Sequence, residues 1–158
     1  MLAIIGGSGL SQFSALEVSH RRRARTPWGE PSASLTFGHV AGRPAVFLAR
    51  HGDAHSIPPH QVNYRANIWA LCECEPVGIV SVAAVGSIHP DLRPGDLVLP
   101  HQIIDYTWGR PSTYHEGPDS VVTHVDFTEP YDPLLRRQLA EAATAIGALV
   151  RVDAVYAA

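Results

Sequence analysis

The chain has 158 residues, 46% of them hydrophobic and 17% charged, with mean hydropathy +0.01 and a mass of 17.1 kDa. That is the size of one ordinary domain, able to bury about two thirds of the surface its unfolded chain exposes, and the composition excludes a disordered protein. No stretch reaches the roughly 18 apolar residues of a membrane helix, and the net charge of −3 gives no overall basic field for nucleic acid.

The N-terminus, MLAIIGGSGL, lacks a basic leader and a small-residue cleavage site, so it predicts a core strand rather than a signal peptide and a cytoplasmic location. Residues 2–5 form a short apolar run that ends in Gly6-Gly7-Ser8-Gly9, a strand entering a turn that needs permissive backbone angles. Residues 16–25, 34–39 and 45–49 predict three further strands, the last two joined by a hairpin connection at residues 40–43. The arginine run Arg21, Arg22, Arg23 and Arg25 predicts a solvated edge. Residues 61–73 predict a largely buried helix with Val62, Ala66 and Trp69 on one face, widened by Ile68 and Leu71. At its end Cys72 and Cys74 form a C-x-C pair with no second pair to complete a zinc site, so reduced, buried thiols are expected.

Residues 78–85 are apolar and rich in β-branched side chains, as in a central parallel strand buried on both faces, and run into Gly86-Ser87. Residues 97–99 and 102–107 predict two more strands, and residues 114–123 a loop. Asp132-Pro133 predicts a capped helix start, with Leu135, Leu139, Ala142 and Ile146 on one face before Gly147. Residues 150–157 predict a last strand left with an unpaired edge and an uncovered apolar face. Strands alternating with helices indicate an α/β sheet without repeats or linkers.

Three strand ends carry the chemistry. The Gly6–Gly9 turn can offer successive backbone N–H groups and the Ser8 hydroxyl to an anion. Arg50 and His51 end another strand, where open α/β sheets present their ligands, and a guanidinium fork suits a phosphate dianion. The strand before Gly86 supplies the third end. All twelve basic residues are arginine, so any anion site uses guanidinium or backbone N–H groups and no lysine chemistry is available. The turn is neither G-x-G-x-x-G nor a P-loop, no G-x-S-x-G elbow occurs, and the nine histidines show no H-E-x-x-H spacing.

Six segments in one order carry a family resemblance: IIGGSGL at 4–10, LARHG at 48–52, VNYRANIWAL at 62–71, VGSI at 85–88, PGDLVLPHQIIDYT at 94–107 and THVDFTEPYD at 123–132. The set resembles the purine nucleoside phosphorylase superfamily, specifically its methylthioadenosine and methylthioinosine phosphorylase branch. The fold so implied is α/β, a mixed twisted sheet flanked by helices. The resemblance covers the N-terminal three fifths of that family's single domain, with residues 1–158 as its N-terminal portion and the sheet cut short before it is completed.

The activity implied is phosphorolysis of a 5′-methylthio purine nucleoside to free purine and 5-methylthioribose 1-phosphate, in purine and methylthio salvage. It needs inorganic phosphate as co-substrate and no metal or organic cofactor. By the same resemblance Gly6, Ser8, Arg50, His51, Ala83 and Ala84 bind phosphate, and His124 reaches a neighbouring subunit's nucleoside in a homotrimer. Ala83 stands where the family usually has threonine or asparagine, so only backbone can serve there. The family's T-x-G-P-R-x-E-T segment, its Met-Thr pair and its purine-contacting Asp or Asn have no counterpart in the sequence. The resemblance therefore leaves the catalytic set beyond Ala158 and implies a chain inactive by itself. A non-catalytic anion-binding or trimer-forming remnant of the same fold is the alternative.

Overall fold

A computed structural model describes residues 1–10, 13–118 and 120–158. Two compact units emerge, one of Met1–Val85 with Arg110–Tyr114 and one of Gly86–Gly109 with His115–Ala158. Of the loop expected at residues 114–123, Asp119 lies outside the described residues.

The first unit holds strands β1 (Leu2–Gly6), β2 (Glu17–Arg22), β3 (Leu35–Val40), β4 (Arg43–Ala49) and β5 (Gly78–Val82), with helix α1 (Tyr64–Cys72). The strands form one mixed sheet in the order β2-β3-β4-β1-β5. β1 runs parallel to both β4 and β5, and β2, β3 and β4 are antiparallel neighbours. Alternation of side chains along β1 and β4 divides the core into two layers. Ala3, Ile5, Val46 and Leu48 join Leu35 and the helix residues Ala70 and Leu71 on one face. Ile4, Ala45, Phe47 and Ala49 join Leu16 on the other.

The hairpin between β3 and β4 forms as expected, with Ala41 at φ 48° and Gly42 at φ 73°. Positive φ at both central residues gives the turn a twist that matches its strands. β2 is the exposed edge that the arginine run predicts.

Helix α1 begins at Asn63, whose side chain accepts the Ala66 backbone N–H. It buries Ala66, Asn67, Ala70 and Leu71, so Ala66 and Leu71 of the expected face are covered, as is Val62 just before the helix, while Trp69 stays half-buried and packs edge-on against Tyr114, 5.8 Å between ring centroids. The buried Asn67 is satisfied by Ser32, accepting its backbone N–H at 2.7 Å and donating to its hydroxyl at 3.0 Å. Cys72 is exposed and Cys74 half-buried, which corrects the expectation of two buried thiols: the helix ends at Cys72, past its covered stripe.

β5 is shorter than expected and lies at the sheet's margin in this unit, half-buried to exposed, rather than central and covered on both faces. Within the first unit its described pairing is with β1.

The second unit contains β6 (Leu97–Ile104), α2 (Pro133–Ala145) and β7 (Val150–Ala157). The expected break between two strands at residues 100–101 is a distortion within one: the β6–β7 register shifts on either side of Pro100, which has no N–H for the ladder. α2 starts at Asp132, whose side chain accepts the Leu135 N–H, and none of its residues is buried.

The last strand, expected to end the chain with an unpaired edge, is partnered along its other edge. β7 pairs in parallel with β6 from Leu97↔Val150 to Ile104↔Ala157, the ladder supplying the hydrogen bonds of one edge of its backbone. The five strands of the first unit pair as one sheet and the two strands of the second pair with each other.

Candidate active site: a phosphate crevice at three strand ends

The carboxyl ends of β4, β1 and β5 lie side by side because Gly6 is in register with Ala49 on one side and Val82 on the other. Side by side and parallel, the three strands deliver the chain segments that follow them to one crevice, the place where open α/β sheets bind ligands.

After β1, the four-residue turn Gly7–Leu10 is closed by a hydrogen bond from the Leu10 N–H to the Gly7 carbonyl, 3.0 Å. Gly9 has φ +81° with open space around its missing Cβ, so glycine serves there for the backbone angle alone. Ser8 is exposed at the tip and Gly6 is buried at the base. Gly7 is needed for another reason. A Cβ on it would lie 2.5 Å from Nη2 of Arg50 and 2.8 Å from the Val82 carbonyl oxygen. The Arg50 guanidinium thus rests against the turn backbone.

After β4, the Arg50 N–H donates to the Gly6 carbonyl at 2.9 Å. The Arg50 side chain is half-buried, and its Nε donates to His51 Nε2 at 3.3 Å. His51 is 7% exposed, and its Nδ1 lies 2.8 Å from the Ile57 carbonyl oxygen. The Ile57 N–H returns a bond to the His51 carbonyl at 3.0 Å, so residue 51 clasps residue 57 twice and closes the loop. The His55 ring tilts against that of His51, 4.9 Å between centroids. Among the described residues the side-chain hydrogen bond of Arg50 goes to an imidazole and none to a carboxylate, leaving its charge available to an anion.

After β5 come Ala83 and Ala84, both exposed. The structure thus brings Gly6, Ser8, Arg50, His51, Ala83 and Ala84 to neighbouring strand ends. His124 is exposed and belongs to the second unit. Reading the sequence missed Gly7 as a separate contributor, although its place in an unbroken Gly-Gly-Ser-Gly run is the signal that could have found it.

A family model described as the phosphorylase superfamily matches residues 1–158. The chain belongs to the phosphorylase superfamily. Enzymes of this superfamily's purine nucleoside branch take inorganic phosphate as co-substrate and use no metal or organic cofactor. The probable S-methyl-5′-thioinosine phosphorylase of Pseudomonas syringae pv. tomato is 46% identical over 98% of this chain and 63% of its own length. The 6-oxopurine nucleoside phosphorylase of Pyrococcus furiosus is 48% identical over 92% of this chain and 56% of its own. Methylthioadenosine phosphorylase from Schistosoma mansoni, solved without ligand, superposes with a TM-score of 0.90 at 37% identity, covering 99% of this chain and 62% of that one.

Two expectations change with these findings. Kinship is not confined to the methylthio branch, because a 6-oxopurine enzyme matches as closely as a methylthioinosine enzyme. Nor do they support the expectation of a fold truncated before its sheet is completed: the family match and the superposition run through essentially the whole chain. The chain spans about three fifths of the length of these relatives. Among the described residues no helix is long and apolar enough to cross a membrane.

Proposed function

We propose that the crevice at the ends of β1, β4 and β5 binds inorganic phosphate. The whole protein would use it for phosphorolysis of a 5′-methylthio purine nucleoside, methylthioinosine or methylthioadenosine, in cytoplasmic purine and methylthio salvage. The single observation that carries the reading is the Arg50 guanidinium resting against Gly7, with no described carboxylate to neutralise it. The turn contributes the backbone at Gly6 and the hydroxyl of Ser8, Arg50 contributes charge and paired donors, His51 lies beside it, and Ala83 and Ala84 offer backbone groups at the third strand end.

The chemistry asks for such an arrangement. As the N-glycosidic bond breaks, the sugar gains positive charge at C1′, and a phosphate dianion held on the opposite face both stabilises that charge and captures the carbon. The products are the free purine and 5-methylthioribose 1-phosphate, a pentosyl transfer to phosphate. In a homotrimer, which the resemblance of the THVDFTEPYD segment to an interface region supports, His124 would reach the nucleoside of the adjacent subunit. Light scattering of the protein tests that assembly.

Calorimetric titration with inorganic phosphate, together with release of free purine from methylthioinosine, methylthioadenosine and inosine, tests the reading. Phosphate binding abolished or much weakened in Arg50→Ala, with purine release that requires phosphate and is fastest from a methylthio nucleoside, supports it. Faster release from inosine would transfer the substrate to the 6-oxopurine class. Phosphate bound at Arg50 without purine release from any nucleoside would favour the second reading, an anion-binding or subunit-assembling module of the same fold.

A further inference from the structure

The His51 ring is bound at both nitrogens, and the chemistry of its partners decides which one carries the proton. A carbonyl oxygen can only accept, so the nitrogen 2.8 Å from the Ile57 oxygen, Nδ1, is the N–H. A guanidinium Nε can only donate, so Nε2, which faces Arg50 Nε at 3.3 Å, presents a lone pair. One tautomer satisfies both contacts, and the hydrogen bond to Ile57 selects it. The ring is buried and has the His55 ring against it. Neither nitrogen has an N–H left to give to an anion.

We infer that His51 is a positioning residue for phosphate: its Nε2 lone pair holds Arg50 by Nε and so aims the terminal guanidinium nitrogens at the crevice. This rests on the phosphate reading above and changes the part the imidazole plays in it. A guanidinium has five N–H donors, one on Nε and four on the two terminal nitrogens. Tying down Nε fixes the plane of the fork while leaving the terminal donors for a bidentate anion contact. Gly7 supports the same placement from the other side, since Nη2 lies where its Cβ would be. Imidazole and glycine together hold a long side chain whose free rotation would otherwise have to be arrested when the anion arrives.

Two substitutions separate the contacts. His51→Asn keeps an amide N–H near the Nδ1 position for Ile57 and leaves nothing to accept from Arg50. His51→Gln places an amide oxygen near Nε2 for Arg50 and gives up the Ile57 contact. Phosphate titrations should show His51→Asn binding about tenfold more weakly, the effect of roughly one hydrogen bond, with little change in Tm. His51→Gln should bind within about threefold of the native chain and melt at a lower temperature. Nitrogen-15 spectra of the native chain should show the His51 proton on Nδ1 with Nε2 unprotonated, a readout that stands even where a variant fails to fold. A proton on Nε2, or native phosphate affinity in His51→Asn, would overturn the inference. If that affinity persists while Arg50→Ala abolishes binding, the phosphate reading stands and only the role of His51 falls. A native chain that does not bind phosphate at all defeats both.

Discussion

The backbone N–H of Arg50 donates to the carbonyl of Gly6 at 2.9 Å. This bond carries the parallel β1–β4 ladder one step past the last paired residues, Gly6 and Ala49. The arginine backbone is thereby fixed beside the first turn, and its side chain can lie across Gly7 without help from a salt bridge. Substituting Arg50 by alanine should weaken phosphate binding by about 1.5–3 kcal/mol, the range for a hydrogen bond to a charged group. Lysine should rescue only part of this, because it restores a point charge and neither the fork nor the donor to His51. Calorimetric titration of the two variants measures both effects.

Gly7→Ala tests the same contact from the turn. The added methyl would meet the guanidinium and also the Val82 carbonyl at 2.8 Å. The side chain can move away, but the carbonyl belongs to a strand paired with β1. Overpacking of this kind costs about 1–3 kcal/mol, and the displaced guanidinium should lower phosphate affinity in the same protein. Unchanged Tm and unchanged affinity would show that the turn does not confine Arg50.

Asn67 joins α1 to the segment before β3 through two hydrogen bonds with Ser32. Asn67→Leu would leave the Ser32 N–H without that acceptor and should lower stability by about 1–3 kcal/mol. Denaturant unfolding checks the magnitude. Phosphate affinity of the folded fraction should hardly change, since neither residue stands at the three strand ends.

α2 buries none of its residues, so its persistence depends more than usual on its cap. Its packing is partial, Leu135 and Leu139 being half-buried, and short helices rely on packing and caps together. Asp132→Ala removes the acceptor for the Leu135 N–H and should cost about 0.5–2 kcal/mol. Hydrogen exchange should accelerate across Pro133–Ala145 and leave the β1–β4 amides as slow as before.

Burial pushes the Cys74 thiol above its usual pKa, an effect that the nearby Arg22 guanidinium only partly opposes. A raised pKa means less thiolate at any given pH, and the thiolate is the nucleophile. Iodoacetamide at mildly alkaline pH should therefore alkylate the exposed Cys72 first, with Cys74 following as the pH rises. Peptide mass mapping against time distinguishes the two sites, and equal rates would contradict the assigned environments.

Much of this molecule is determined by short-range chemistry that a sequence displays openly. The β1 strand and its glycine turn, the two-residue hairpin at Ala41-Gly42, the exposed arginine edge and the Asp132-Pro133 helix start each depend on local backbone preference or on period-two burial. The pairing of Arg50 with His51 at a strand end is equally legible, as are the motifs that carry the family likeness.

Other features required the chain to be folded. Which strands neighbour one another depends on contacts far apart in sequence, so β5 is recognisable as a parallel strand without its pairing to β1 being visible. The partner of β7 was hidden because β6, some fifty residues earlier, is distorted at Pro100 and looks like two fragments. The covered face of α1 also takes in Asn67 and Ala70, and the partner of Trp69, Tyr114, stands more than forty residues away. The proton on His51 is the clearest case. Composition and spacing supply an imidazole beside a guanidinium, but which nitrogen is free is decided by the Ile57 carbonyl, brought to 2.8 Å by the closure of the loop. Hydrogen-bond direction is a property of distance and angle, and those exist only once the tertiary structure has formed.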